Sequence, residues 1–295
     1  MTIGFRTYSE LLGRDRSDLV AQVTAQREKV RRRLELVERC VAVMSGKGGV
    51  GKSFVAALLA AQSARAGARV GLLDADLHGP TAARLSGVSP GELRVEQSAV
   101  VPAVSPAGVR VMSMELLLEA GRPLAWKEPA SESFVWRGAQ EQGALREFLG
   151  DVEWGKLDLL LIDLPPGTGR MIDLAELVPD LSGTLVVTIP SDASRASVER
   201  SLREARERGM PALGVIENMS GYACPECGAV RPLFRGDAGE SLAGLFGIPL
   251  LGRVPLDPES AALAEKGDPL GALDRPAGRA LATIAATLLG GEEAA

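Results

Sequence analysis

A chain of 295 residues with 46% hydrophobic side chains can bury a substantial core, but with only 4% aromatics that core must be packed from aliphatic residues. The net charge of −5 argues against nonspecific nucleic-acid binding as the main task, and no apolar run approaches the ~18 residues of a membrane span. Three cysteines make no secreted disulfide framework, and the opening MTIGFRTYSELLGRDRSD lacks the basic-then-apolar order of a signal peptide, so a reducing, cytoplasmic setting is expected, with neither membrane nor nucleic acid as partner.

In chain order, residues 1–38 are predicted to be an N-terminal helical arm. Ser17 is placed to cap it, and Val20, Val23, Val30, Leu34 and Val37 keep approximate helical spacing. Its basic cluster, Lys29 and Arg31 to Arg33, reads best as a solvated helix face. From residue 39 to 290 strand and helix alternate, before an acidic tail at 291–295. Short aliphatic runs predict strands at 40–44, 69–74, 109–114, 158–163, 184–189, 213–217 and 250–254. Helices are predicted at 52–66, 137–149, 171–178, 193–208, 238–247, 257–266 and 277–289, with Arg195/Glu199, Arg200/Glu204 and Arg203/Glu207 as ion pairs on the fourth. The alternation predicts an α/β fold, a doubly wound, mostly parallel sheet with helices on both faces.

Between the first strand and first helix of that domain lies Gly46-Lys47-Gly48-Gly49-Val50-Gly51-Lys52-Ser53. Strand, glycine loop and helix start are what a phosphate-binding loop requires. The glycines let backbone N–H groups turn in on phosphate oxygens, Lys52 adds a full charge, and Ser53 offers its hydroxyl to a phosphate-bound Mg²⁺. Strand 69–74 ends in Asp74-Ala75-Asp76, where carboxylates lie beside the loop, with Asp76 the better placed to orient water. Strand 158–163 ends in Asp163, a second magnesium-side carboxylate, followed by the stiff turn Pro165-Pro166-Gly167, whose Gly167 N–H is expected to reach a γ-phosphate. His78, the one histidine, brings no partners for a triad or a zinc hydrolase.

Cys224-Pro225-Glu226-Cys227-Gly228 is a thiolate pair on a tight turn, suited to a soft metal or an iron–sulfur cluster. Loop residues on both sides disfavour a redox dithiol, which wants a helix N-terminus. Two thiols are half of a four-ligand set, and Cys40, at the start of the strand feeding the phosphate loop, reads as core. A complete set then requires a second copy of the chain, with the metal on a two-fold axis. Stoichiometry alone does not separate Zn²⁺ from [4Fe–4S].

Together the segments SGKGGVGKS (45–53), DADLHGPT (74–81), VWRG (135–138), DLPPGTG (163–169), ENMSGYACPECG (217–228) and LLGRVPLDP (250–258) resemble the Mrp/ApbC family of P-loop ATPases, iron–sulfur cluster carriers related to MinD and ParA. The resemblance implies an ATP-hydrolysing homodimer that holds a [4Fe–4S] cluster between paired cysteine motifs and hands it to apo iron–sulfur proteins. It implies that Lys47 reaches the partner's nucleotide, that Lys52 and Ser53 serve phosphate and Mg²⁺, and that Asp76 positions water. It further implies that Asp163 stands by the magnesium, that Asn218 meets adenine, and that Cys224 and Cys227 ligate the cluster. Several residues depart from the pattern: Phe54 stands where a threonine is usual, Arg170 replaces an aspartate, Ala139-Gln140 replace Pro-Met, and the glycine run after 234 is broken as Arg235-Gly236-Asp237-Ala238-Gly239. They bear on hydrolysis more than on nucleotide binding. The alternatives are a MinD/ParA-like positioning ATPase with structural zinc, or a weakly hydrolysing ATP binder. A membrane-binding tail is disfavoured, since Leu281, Ile284 and Leu288 read as a core-packed stripe.

Overall fold

Cys40–Ser45 is buried at every position and forms the central strand β1. Alternate side chains feed opposite cores, Val41 and Val43 on one face of the sheet, Ala42 and Met44 on the other. The structure, a computed structural model, describes residues 19–96, 99–117, 143–167 and 169–290. Ser17, the 135–138 segment with Ala139 and Gln140, and the 291–295 tail lie outside the described residues.

The elements in order are α1 (Leu19–Leu34), β1, α2 (Lys52–Arg65), β2 (Val70–Asp74), α3 (Ala82–Leu85), β3 (Arg94–Glu96), β4 (Ala99–Val101), β5 (Ala103–Val104) and β6 (Arg110–Ser113). Helical residues 143–150 (α4) lead to β7 (Leu159–Asp163), α5 (Gly169–Leu177), β8 (Gly183–Thr188), α6 (Asp192–Glu207), β9 (Ala212–Ala223) and β10 (Val230–Pro232). The chain closes with α7 (Ala238–Phe246), β11 (Leu250–Leu256), α8 (Pro258–Glu265), α9 (Pro269–Leu273) and α10 (Pro276–Leu288). The sheet runs β10-β9-β8-β1-β7-β2-β6-β5, with β11 also on β9. Pairing is parallel from β6 through β9 and on to β11, and antiparallel only for the short strands β5 and β10. This is the expected doubly wound α/β sheet, with the phosphate loop at the carboxyl end of its middle strand.

Strand β9 is far longer than the expected 213–217. Its first half pairs with β8 on one edge and β11 on the other. Beyond the end of β8, Tyr222 pairs with Arg231 of β10 on one side and Leu256 of β11 on the other. Polar Asn218, Ser220 and Gly221 carry no strand pattern of their own, so these neighbours hold the extension. The ion pairs of α6 also differ from expectation. Glu199 meets Arg203 and Glu204 meets Arg208, each acid one turn N-terminal to its base, the better orientation along a helix. On α1, Lys29 meets Asp151, Arg31 meets Glu28 and Glu35, and Arg33 donates to the Gly150 carbonyl, so this basic cluster is internally partnered. Leu281, Ile284 and Leu288 are buried in the core, and among the described residues no helix is long and apolar enough to cross a membrane.

Candidate functional site

The glycine loop is built by backbone conformations a side chain resists. Gly49 and Gly51 hold φ of +78° and +77°, in the left-handed region open to glycine. Gly51 starts α2 with no side-chain cap, leaving the first-turn N–H groups free to meet an anion. Gly46 serves another purpose. Its carbonyl accepts from the Ser197 hydroxyl at 2.5 Å, and a Cβ there would lie 2.5 Å from the Val198 nitrogen. Gly46→Ala must therefore push α6 off the loop, with an expected loss of ~1–3 kcal/mol in a thermal or denaturant unfolding measurement. Gly48→Ala, whose nearest neighbour would be Pro166 Cγ at 3.9 Å, should leave stability nearly unchanged.

Lys52 is buried, and its ammonium pairs with Asp163 at the end of β7, with the Ser53 hydroxyl 3.4 Å away. Asp163 is fully buried. Burial raises its pKa and the ammonium of Lys52 opposes that rise. Its second oxygen, Oδ2, is a buried acceptor with no hydrogen-bond partner. An unsatisfied carboxylate oxygen close to a serine hydroxyl is a hard oxygen pair that suits Mg²⁺.

The two aspartates after β2 divide their work. Asp74 is buried and accepts from the N–H groups of Asp76, Thr81 and Ala82 and from the Ser113 hydroxyl. Burial and then the charge of Asp163 push it up to about 7. Its oxygens are thus spent on holding the 76–82 loop. Asp76 is half-buried, among the described residues takes only the Gly79 N–H at 3.2 Å, and lines the pocket over the glycine loop.

That pocket, about 410 Å³, gathers Lys47 through Phe54, Asp76 and Asn218 against Pro255, Leu256 and Asp257. Asn218 is buried and donates to the Val50 carbonyl at 2.8 Å, so it braces the loop from the rim where adenine is expected. In this structure the Gly167 N–H donates to the Ser45 carbonyl at 3.0 Å, locking the Pro-Pro-Gly turn onto the loop rather than aiming into the pocket. Two contributors escaped sequence reasoning. Met219, with φ of 54°, is the one non-glycine at positive φ among the described residues, and it lines the pocket beside Gly51. Arg84 enters from α3. Met219 lies within the 217–228 segment but its side chain has no chemistry that would single it out, and Arg84 lies outside every motif.

The broken glycine run keeps its glycines where they are needed. A Cβ at Gly236 would lie 2.7 Å from the Pro190 carbonyl. The Gly239 N–H donates to buried Glu217 at 2.7 Å, where a side chain would collide with that carboxylate.

Cys224 and Cys227 sit in the turn from β9 to β10. The Cys224 N–H donates to the Ala229 carbonyl at 3.0 Å, the Gly228 N–H to the Cys224 carbonyl at 2.8 Å, and Gly228 takes φ of +69°. The N–H of Cys227, then that of Glu226, turn onto the Cys224 sulfur and hold its thiol below the usual range. Cys227 is exposed, and no group of three or more metal-ligating side chains exists among the described residues. The pair is a two-thiol knuckle at the surface, with Cys224 half-buried and Cys227 exposed. Cys40 is buried in β1 with its thiol pushed up to about 12 by burial, as a core cysteine should be.

Comparison with known proteins agrees with this geometry. Residues 36–289 match the family described as ParA, NUBPL iron-transfer P-loop NTPase. The iron-sulfur cluster carrier protein of Saccharolobus solfataricus is 41% identical over 258 residues, 87% of this chain and 84% of that one. A nucleotide-binding protein from Archaeoglobus fulgidus, solved in complex with ADP, is 35% identical with a TM-score of 0.69, over 82% of this chain and 91% of the other. MinD of Aquifex aeolicus, at 19% identity and a TM-score of 0.57 over 85% of this chain and 97% of its own, shares the fold. The chain belongs to the NUBPL-type iron-transfer branch of the ParA family of P-loop NTPases.

Proposed function

We propose that this protein is an ATP-dependent carrier of iron–sulfur clusters. Two copies each contribute Cys224 and Cys227 to one [4Fe–4S] cluster, which the dimer delivers to apo iron–sulfur proteins. The observation that carries this reading is the two-thiol knuckle at the surface of a chain that also holds a complete phosphate loop. Around the knuckle, Tyr222, Val230, Leu233 and Phe234 are all more than a third exposed. Such a patch fits burial against a second copy, which would also complete the ligand set. The carrier name of the Saccharolobus solfataricus relative and the ADP in the Archaeoglobus fulgidus structure support the same reading.

On the nucleotide side, the loop N–H groups and Lys52 bind the phosphates, releasing Lys52 in part from Asp163. Ser53 and Asp163 are the residues that would hold Mg²⁺, which would draw charge from the phosphate oxygens. Asp76 orients the attacking water. Lys47, half-buried at the pocket edge, approaches the partner's nucleotide. Gly167 would exchange the Ser45 carbonyl for the γ-phosphate, making that turn sensitive to hydrolysis.

Protein purified and reconstituted without oxygen is expected to contain four iron and four sulfide per dimer, about as a [4Fe–4S] cluster demands. Zinc alone, with iron never retained, would overturn the carrier reading in favour of a positioning ATPase with a structural metal.

A further inference from the structure

Apart from Lys47 and Lys52, the nucleotide pocket holds one more cation. Arg84 lies on α3, is exposed, and lines the pocket together with Phe54. Among the described residues its guanidinium has no ion pair, although Glu265 lines the same pocket. The wall that carries it is firmly placed. Asp74 accepts the N–H groups of Thr81 and Ala82 at the start of α3. At its other end Gly87 meets Gly267 so closely that a Cβ on Gly267 would lie 3.2 Å from Gly87 Cα. The cost of ordering a flexible arginine is therefore confined to its own side chain.

The charges in this pocket leave a task for that arginine. Lys52 is shared with Asp163, and Asp257 is occupied by the N–H groups of Glu259, Ser260 and Ala277. Lys47, as read above, serves the partner's nucleotide. That leaves one lysine for a triphosphate bearing several negative charges. The loop's backbone N–H groups cradle the α- and β-phosphates and its lysine reaches the β- and γ-phosphates, so no side-chain cation of the loop serves the α-phosphate. At the first turn of α2, where a hydroxyl could add to those, Phe54 presents an apolar ring. We propose that Arg84 binds the α-phosphate of the nucleotide from the α3 wall, supplying the contact that Phe54 cannot. The planar fork of donors suits two phosphate oxygens at once. This inference rests on the reading of Gly46–Ser53 as a nucleotide site.

The test is calorimetric titration of full-length Arg84→Met and Arg84→Lys with ATP, ADP and inorganic tripolyphosphate. Arg84→Met should weaken all three by about tenfold or more, with equal factors for ATP and ADP, as expected for loss of a charge-assisted contact. Arg84→Lys should recover part of that loss. Unchanged affinities overturn the proposal. So does a loss confined to ATP, which would place the guanidinium at the γ-phosphate, or a loss that spares tripolyphosphate, which would place it at the nucleoside. Lys52→Ala run alongside separates the two levels: if it binds ATP normally, the nucleotide-site reading itself fails. The iron content at the cysteine pair, unchanged in Arg84→Met, reports that the variant is folded.

Discussion

Lys52→Ala should weaken ATP binding by about a hundredfold or more, as removal of a buried phosphate-binding charge implies. Iron loading at Cys224 and Cys227 should be retained. The variant carries a second expected effect. Among the described residues Lys52 is the sole ammonium on buried Asp163, so its loss strands a carboxylate in the core, at an expected cost of ~3–5 kcal/mol in unfolding free energy. A double variant, Lys52→Met with Asp163→Asn, removes both charges and should regain most of that stability while still failing to bind ATP. Titration of ATP and a denaturant melt on the same three proteins separate the two roles. If the double variant stays as unstable as the single one, the ion pair is not what holds the loop to β7.

Cys224→Ala or Cys227→Ala should abolish the iron–thiolate absorption and leave ATP affinity within about twofold, because neither residue lines the nucleotide pocket. The alanine change at Cys224 also leaves the N–H groups of Glu226 and Cys227 without their sulfur acceptor, but that turn is solvent-facing, where water replaces the sulfur. Stability should therefore change by less than about 1 kcal/mol. The decisive readout is iron and sulfide per chain beside the mass of the loaded species. A cysteine variant that keeps a full cluster would show that the ligands lie elsewhere in the chain.

Much of this was legible in the residues because burial speaks in local patterns. Strands β1, β2, β7 and β8 are aliphatic at nearly every position and are buried on both faces, so their ends fell within a residue or two of the expected bounds. The loop, Asp76 and Asn218 converge on one pocket; the position of Asp76 at a strand end had implied its place there, and the family resemblance that of Asn218. What stayed hidden depends on partners distant in sequence. The extension of β9 through Asn218 and Ser220 exists because β10 and β11 pair with it. Helix α3 is four residues long, too short for periodicity, and owes its place to the carboxylate of Asp74. The Gly167 N–H bond to the Ser45 carbonyl and the bond of the Asn218 side-chain amide to the Val50 carbonyl both end on backbone oxygens that no residue type announces. Arg84 belongs with these, since only the fold of α3 brings it beside Phe54.

Strand β9 carries Asn218 at the nucleotide pocket and ends at Ala223, directly before Cys224. Over six residue steps, at most about 20 Å of chain, one stretch of backbone joins the nucleotide pocket to the cysteine pair. Along it lie the left-handed residue Met219 and a bulge against β11, where Asn218 faces Val254 but Tyr222 already faces Leu256. Linkage then demands reciprocity. If ATP tightens the thiol pair's hold on its cluster by some factor, the cluster must tighten the hold on ATP by that same factor. The affinity for ATP of loaded and empty protein thus measures whether this strand transmits anything, without following a single transfer event. Equal affinities would mean that the bulged stretch around Met219 absorbs every displacement, and that the two halves of the molecule keep separate accounts of what they bind.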